Sequence, residues 1–173
     1  MTPRVRLVDA EAATDILPGL AALLADAVGA GASLGFWSPL RPSRALAYWH
    51  DVRAELEDGG VLLLVAEDDA GVAGSVQLEL CGKDNGPHRA EVRKLMVLAA
   101  RRRAGVGRAL MQAAEAEAKA RSRSLLVLDT RTGDDSEKFY RALGYEAAGS
   151  IPGFVREADG SSSATTYYYR HLA

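Results

Sequence analysis

The chain has 173 residues, of which 48% are hydrophobic and 25% charged, with a formal net charge of −2. That length and apolar content suit one domain with its own core, here taken as residues 1–173, and the near-neutral balance argues against a general polyanion binder. A single cysteine, Cys81, excludes an internal disulfide framework and suits a reducing, cytoplasmic compartment. The opening Met1-Thr2-Pro3-Arg4 lacks the apolar segment of a signal peptide, and no stretch reads as a membrane span.

Taken in order, Val5–Val8 reads as a strand. Pro18 opens a helix carrying Leu20, Leu23, Leu24 and Val28 at helical spacing, and Gly29 and Gly31 end it. A second helix follows Pro42, with Leu46, Trp49, Val52, Arg53 and Leu56 on one face. Val61–Glu67 and Val72–Leu80 form a hairpin around Asp68-Asp69-Ala70-Gly71. After the turn Asp84-Asn85-Gly86-Pro87 comes the strand Ala90–Leu98, then a long helix from Val106 to about Lys119, turning Leu110, Ala113, Ala114 and Ala118 inward. Leu125–Asp129 is a strand short enough to be buried on both faces, and Ser136–Leu143 is a helix ending at Gly144. Strands near Tyr145–Ser150 and Thr165–Arg170 complete the order β-α-α-β-β-β-α-β-α-β-β. This predicts a mixed sheet with helices on both faces.

The most informative stretch lies between the fourth strand and the long helix, at Arg101-Arg102-Arg103-Ala104-Gly105-Val106-Gly107-Arg108. A strand that enters a basic, glycine-bearing turn opening a helix presents unpaired N–H groups where the helix dipole favours an anion. No Gly-Lys-Ser/Thr follows, so this is not a Walker loop. The third glycine and the ribose-binding acid of a dinucleotide fingerprint are absent as well. The glycines allow close backbone approach to a pyrophosphate, and the arginines add charge-assisted hydrogen bonds of about 1.5–3 kcal/mol each. A solvated basic turn that merely starts a helix is the alternative.

The flanks resemble the GNAT superfamily of N-acetyltransferases. Leu95-Met96-Val97, then Arg102-x-x-Gly105-x-Gly107, then Arg108-Ala109-Leu110-Met111 follow its central strand–turn–helix motif. Leu125–Asp129 and Phe139-Tyr140-Arg141-Ala142-Leu143-Gly144-Tyr145 follow its second. Within the superfamily, Gly31–Phe36, Arg89–Leu98 and Leu128-Asp129-Thr130 are most similar to the tabtoxin-resistance group. The resemblance implies an α+β, three-layer acyl-CoA N-acyltransferase fold with a mixed central sheet of about seven strands.

It further implies acetyl-CoA as donor and a primary amine of a small, amino-acid-like metabolite, antibiotic or toxin as acceptor. Met96, Val97 and Leu98 would pair with the pantetheine amides, with the acetyl carbonyl near the Met96 N–H. Arg102, Arg103, Ala104, Gly105, Val106, Gly107 and Arg108 would hold the pyrophosphate, beside Phe139. Tyr140 takes the family's general-acid position. Glu91 and Asp129 are the candidate bases; their bland alternatives are a cross-strand partner of Arg89 or Arg93 and a turn cap. The acceptor pocket is expected from Ser33–Trp37 (with Ser33, Phe36 and Trp37 named), the helix face near Trp49, and the loop Ile151-Pro152-Gly153-Phe154, with Gly153 facing the substrate. Of Tyr167-Tyr168-Tyr169, alternate rings face opposite sides of a strand, and core packing is their expected use.

The chain departs from the family pattern at Ala99, where proline is common, and around Thr132-Gly133-Asp134, where an asparagine is usual. His50, His88 and His171 are scattered and no spacing matches a metal site. Cys81 reads as a small buried hydrophobe, so transfer is expected to be direct, without an acyl-enzyme. A non-catalytic acyl-CoA sensor would keep the basic turn but need neither Tyr140 nor a base. A peptide or protein N-acetyltransferase is the alternative within the enzyme class. A nucleic-acid binder lacks the wide basic face and stacking aromatics it would require. Many members pair through their sheets or C-terminal strands, which extends the expectation to a homodimer.

Overall fold

The structure, a computed structural model, describes residues 3–173, so the first two residues of the opening segment read above lie outside the described residues. β1 (Arg4–Val8) leads into α1 (Ala10–Gly29) and α2 (Pro42–Glu57). β2 (Val61–Asp68), β3 (Gly71–Leu80) and β4 (Arg89–Val97) follow, then α3 (Val106–Ala120), β5 (Leu125–Arg131), α4 (Asp135–Ala142), β6 (Glu146–Arg156) and β7 (Ser162–His171). The sheet has seven strands in the order β1-β2-β3-β4-β5-β7-β6. This is the element order read from the sequence.

α1 begins at Ala10, not at Pro18, because the Asp9 carboxylate accepts from the Ala12 N–H at 2.8 Å and caps the helix. Pro18 sits on the exposed face, where water can satisfy the Thr14 carbonyl it leaves without a donor. By length and composition α1 is apolar enough to cross a membrane, which corrects the sequence reading. Its Leu17, Leu20, Leu24 and Val28 instead bury against α2 and the sheet, together with Trp49, Val52, Leu63, Val65 and Met96. On α2, Ala45 takes the inward place expected for Leu46, which is exposed.

α3 and α4 cover the opposite face. Leu110, Met111, Ala114 and Ala118 of α3 meet Leu64, Val76, Leu78, Val92, Leu126 and Leu128 of the sheet, with Tyr140 and Tyr145 closing the end of this second core. β5 is buried on this face only; Val127 is half-buried and Asp129 is exposed on the other, because no helix covers the sheet there. β6 is an edge strand, exposed along nearly its whole length. It extends through Ile151–Phe154, so the expected late loop is instead an irregular strand whose register with β7 shifts between Ile151 and Val155.

One contact limits how closely α3 lies on the sheet. A Cβ at Gly74 of β3 would stand 2.7 Å from the Met96 carbonyl oxygen, 3.1 Å from Leu110 and 3.2 Å from Val106. Gly74→Ala should therefore lower stability by about 1–3 kcal/mol in urea unfolding, the usual range for overpacking. Gly29→Ala, at a helix end where a Cβ meets nothing within 4 Å, should leave stability unchanged or slightly raised.

Candidate active site

The turn after β4 is held by two carboxylates remote in sequence. Asp26, in the last turns of α1, accepts from the Ala99 N–H at 2.8 Å, and Asp68, at the β2–β3 turn, binds Arg101 at 2.5 Å. The Arg101 guanidinium keeps the Asp68 carboxyl below the ordinary carboxylate range. Beyond these pins the chain takes left-handed conformations at Arg103 (φ 63°) and Gly105 (φ 82°), and α3 starts at Val106. The first amide of the segment to rejoin the backbone network is that of Ala109, bonded to the Gly105 carbonyl at 3.0 Å. The N–H groups of Arg103 through Arg108 have no partner among the described residues. Arg102, Arg103 and Arg108 likewise have no carboxylate partner there. Gly107 lies against Phe139, whose ring is 3.4 Å from where its Cβ would stand. The sequence reading offers this turn as an anion cradle; of Arg102 to Arg108, all but Ala104 line the cavity.

The cradle opens into a cavity of about 1170 Å³ that passes between β4 and β5. These parallel strands pair at three positions only, ending at Glu91↔Val127, and then diverge. Against β3, the Leu98 N–H donates to the Ala73 carbonyl at 3.0 Å, and Met96 faces Ser75. In an antiparallel ladder every second residue is bonded to the same neighbour. The amides of Met96 and Leu98 therefore belong to the β3 ladder, and those of Leu95 and Val97 face the open edge. This corrects the expectation that Met96 and Leu98 offer theirs to a ligand. The Met96 side chain is also core, 2% exposed.

Three candidate chemical groups meet at this opening. Tyr140 reaches it from α4; burial pushes its phenol far up from its ordinary pKa, with the Asp129 charge adding to the effect. Its hydroxyl has no hydrogen-bond partner among the described residues. Glu91 and Asp129 approach from the other face of the sheet. Arg93 does not pair with Glu91: it bridges Glu79 and Glu55, each at 2.7 Å. Glu91 is thus left without an ion-pair partner among the described residues, and partial burial together with the charges of Glu79 and Asp129 raises its pKa. Asp129 caps no turn; its Oδ2 accepts from the Thr165 hydroxyl at 2.6 Å.

An acetyltransferase (GNAT) domain model matches residues 59–147, more than half of the chain, from the β2–β3 hairpin through the cradle to the start of β6. The chain belongs to the GNAT acetyltransferases. Solved structures share the fold over essentially the whole length. A ribosomal-protein-alanine N-acetyltransferase from Brucella melitensis is 22% identical, with a TM-score of 0.81 over 98% of this chain and 99% of that one. A GNAT phosphinothricin acetyltransferase from Sinorhizobium meliloti, in complex with acetyl-CoA, is 19% identical with a TM-score of 0.82, covering 100% and 90%. An N-acetyltransferase from Staphylococcus aureus is 18% identical with a TM-score of 0.78, covering all of both chains.

A second cavity adjoins the first and shares Gly31–Leu34, Lys94, Asp129, Arg131 and Val155 with it. Ser33, Phe36 and Trp37, the residues offered for the acceptor pocket, line this second cavity. Phe36 stacks edge-on against Tyr48 at 5.4 Å, and the Trp37 indole N–H donates to the Arg156 carbonyl at 2.9 Å. Two expected residues do not arrive. Trp49 is 1% exposed in the α1–α2 core, because the helix turns Tyr48 instead toward Phe36. Gly153 lies outside both linings, its place taken by Phe154 and Val155 of the same strand.

Lys94 is missed by the sequence reading, and Tyr167 of the tyrosine run lies next to Asp129 although it lines neither cavity. Tyr167 is the cross-strand partner of Asp129, and its phenol pKa is raised first by desolvation and then by the charges of Asp129 and Glu91. Tyr168 is the tyrosine of that run that packs in the core. Lys94 stands in the wall between the cavities. The Cys81 reading is also corrected. Its thiol is half-exposed, and the Lys83 N–H and the Arg89 side chain lower its pKa, although it lines neither cavity.

Because the Asp129 charge helps Glu91 keep its proton, Asp129→Asn should move the Glu91 titration to lower pH. Carbon-13 spectra of the glutamate carboxyls would show it, and an unmoved titration would contradict the proximity of the two groups.

Proposed function

We propose that this GNAT domain transfers the acetyl group of acetyl-CoA directly to the primary amine of a small, amino-acid-like molecule, a metabolite or an antibiotic or toxin. The observation that carries the reading is the wedge through the sheet, which brings Tyr140 from one face and Glu91 and Asp129 from the other to the mouth of an anion cradle. The residues present fit the donor. Free amides from Arg103 to Arg108, flanked by Arg102, Arg103 and Arg108, suit a pyrophosphate. The free edge at Leu95 and Val97 suits an extended chain of amides by strand addition. Acetyl-CoA supplies the activated thioester.

An amine is protonated at neutral pH, so the acceptor side needs a base. Glu91, unpaired and with a raised pKa, suits that proton transfer, and Asp129, oriented by Thr165, suits holding the ammonium. Of that free edge, the Leu95 amide suits a developing oxyanion, which leaves Val97 to the added chain. Tyr140 stays protonated because it is buried, which suits it to give a proton to a departing thiolate. Cys81 lies outside the cavities, in keeping with direct attack. Its half-exposed thiol suits a reducing cytoplasm.

The fold serves acceptors as different as those for which the Brucella and Sinorhizobium proteins are named, so the acceptor class must be read from side chains. The three stretches that resemble the tabtoxin-resistance group supply Gly31–Leu34, Glu91–Lys94 and Asp129–Thr130 to one continuous cavity wall. That convergence supports a small amino-acid-like acceptor.

Release of free thiol from acetyl-CoA, measured against amino acids, toxin-like analogues, polyamines, aminoglycosides and short peptides, tests the reading. Amine-dependent release is expected. Tight acetyl-CoA binding without release across the panel would favour the non-catalytic sensor. Tyr140→Phe should lower kcat by about 10²-fold, the low end for a lost general acid, with the calorimetric Kd for acetyl-CoA held within about two-fold. Gly107→Trp should do the reverse and weaken acetyl-CoA binding, because its ring has to displace Phe139.

A further inference from the structure

We infer that Lys94 selects the acceptor by binding an anionic group carried close to its reactive amine, so that the acceptor is a free amino acid with an unblocked carboxylate. The inference rests on the acetyl-transfer reading and concerns what the acceptor carries besides its nitrogen.

The backbone aims Lys94 deliberately. Along β4, Ala90 and Val92 face the α3–α4 core, and strict alternation would send Lys94 into the same apolar layer. A bulge opposite β3 prevents this: Arg93 pairs with Gln77 and Met96 with Ser75, leaving Lys94 and Leu95 against Val76. Lys94 takes a left-handed conformation there, φ 54°. A lysine in that region is strained, and such outliers persist where surrounding structure holds them, often beside functional sites. The result is that the side chain crosses to the α1–α2 face. Its Nζ donates to the Leu34 carbonyl at 2.5 Å and lies 5.8 Å from the ring centres of both Phe36 and Tyr48.

That ammonium is incompletely satisfied. It has three donors, and the structure supplies one acceptor. No carboxylate lies within ion-pair distance of it among the described residues. Burial, with the Arg93 charge, lowers its pKa, and the Asp129 charge opposes the shift. The other cations of the same cavity are otherwise disposed. Arg131 is bound to Asp134, Glu157 and the Gly31 carbonyl, while Arg156 is exposed at the rim beside the Gly160 carbonyl. A charge held in a partly desolvated wall without a counterion favours an incoming anion over a neutral group. Asp129, whose field reaches Lys94, stands on the same wall. An acceptor whose ammonium meets Asp129 therefore brings a group on the adjacent carbon toward Lys94. A free amino acid has a carboxylate at that place, whereas a peptide N-terminus and a lysine side chain do not.

Acceptors matched in all but that charge test this. For each amino acid that supports thiol release, kcat/KM is compared with that of its α-amide, in the unmodified protein and in Lys94→Met and Lys94→Arg, with calorimetric acetyl-CoA affinity as the check on folding. The unmodified protein should prefer the acid by at least about ten-fold. Lys94→Met should collapse that ratio toward one, and Lys94→Arg should retain a preference. Equal use of acid and amide by the unmodified protein, or equal losses for both in Lys94→Met, would overturn the inference and leave Lys94 as a latch for the Leu34 loop. A second readout needs no turnover: with CoA present, amino acids should protect Lys94 from an amine-modifying reagent, read by mass spectrometry, and their amides should not. Absence of thiol release with every amine would overturn acetyl transfer, while the protection result would still decide for or against the Lys94 subsite.

Discussion

The site depends on the early parting of two parallel strands. β4 and β5 pair for three residues and then separate, although β4 continues to Val97 and β5 to Arg131. Each strand keeps its other neighbour: β4 stays in the β3 ladder and β5 pairs with β7 along its full length. The sheet therefore remains intact on both sides of a gap. Backbone groups left unpaired in a sheet interior are costly unless something bonds to them. Here they face a cavity wide enough to admit a ligand, and the gap lets groups from opposite faces of the sheet approach one another.

Charge around the gap is unevenly placed. At one end, Arg102, Arg103 and Arg108, without a carboxylate partner among the described residues, flank free amides; Asp26 and Asp68 bind the loop from behind, while Asp134 and Asp135, paired with Arg131 and Lys138, line the same cavity. At the other end, Glu91, Asp129 and Lys94 line the cavity. Arg93 could have neutralised Glu91 but is bound to Glu55 and Glu79. That triad keeps a carboxylate with a raised pKa available at the opening, so its worth lies in what it denies Glu91 more than in stability, since half-exposed pairs contribute little.

The cradle, Tyr140 and both carboxylates were legible because each lies in a short segment whose local order determines its place. A strand, a basic glycine turn and a helix start put free amides in one spot whatever surrounds them. The same holds for Phe139-Tyr140 ahead of Gly144. Trp49 and Gly153 were misplaced because their positions depend on helix rotation and on strand irregularity, which local pattern does not report. Lys94 did leave a trace: a charge at the third place of the series Ala90, Val92, Lys94, Met96 breaks an otherwise apolar alternation, which is what a bulge looks like in sequence. Met96 and Leu98 went astray for the same reason, because one extra residue changes which amides face outward.

What the sequence by itself determined was the order of elements, the two motifs and the types of groups available for chemistry. Hydrophobic period, glycines and caps act within a few residues and so can be read along the chain. Only the tertiary structure decided which amides stay free, which carboxylate lacks a partner, and which side chains cross from one layer to the other. Those outcomes turn on contacts such as Arg93 with Glu55, Ala99 with Asp26 and Lys94 with Leu34. Each joins residues far apart in the chain, and none is fixed until the sheet has formed and its strands have diverged.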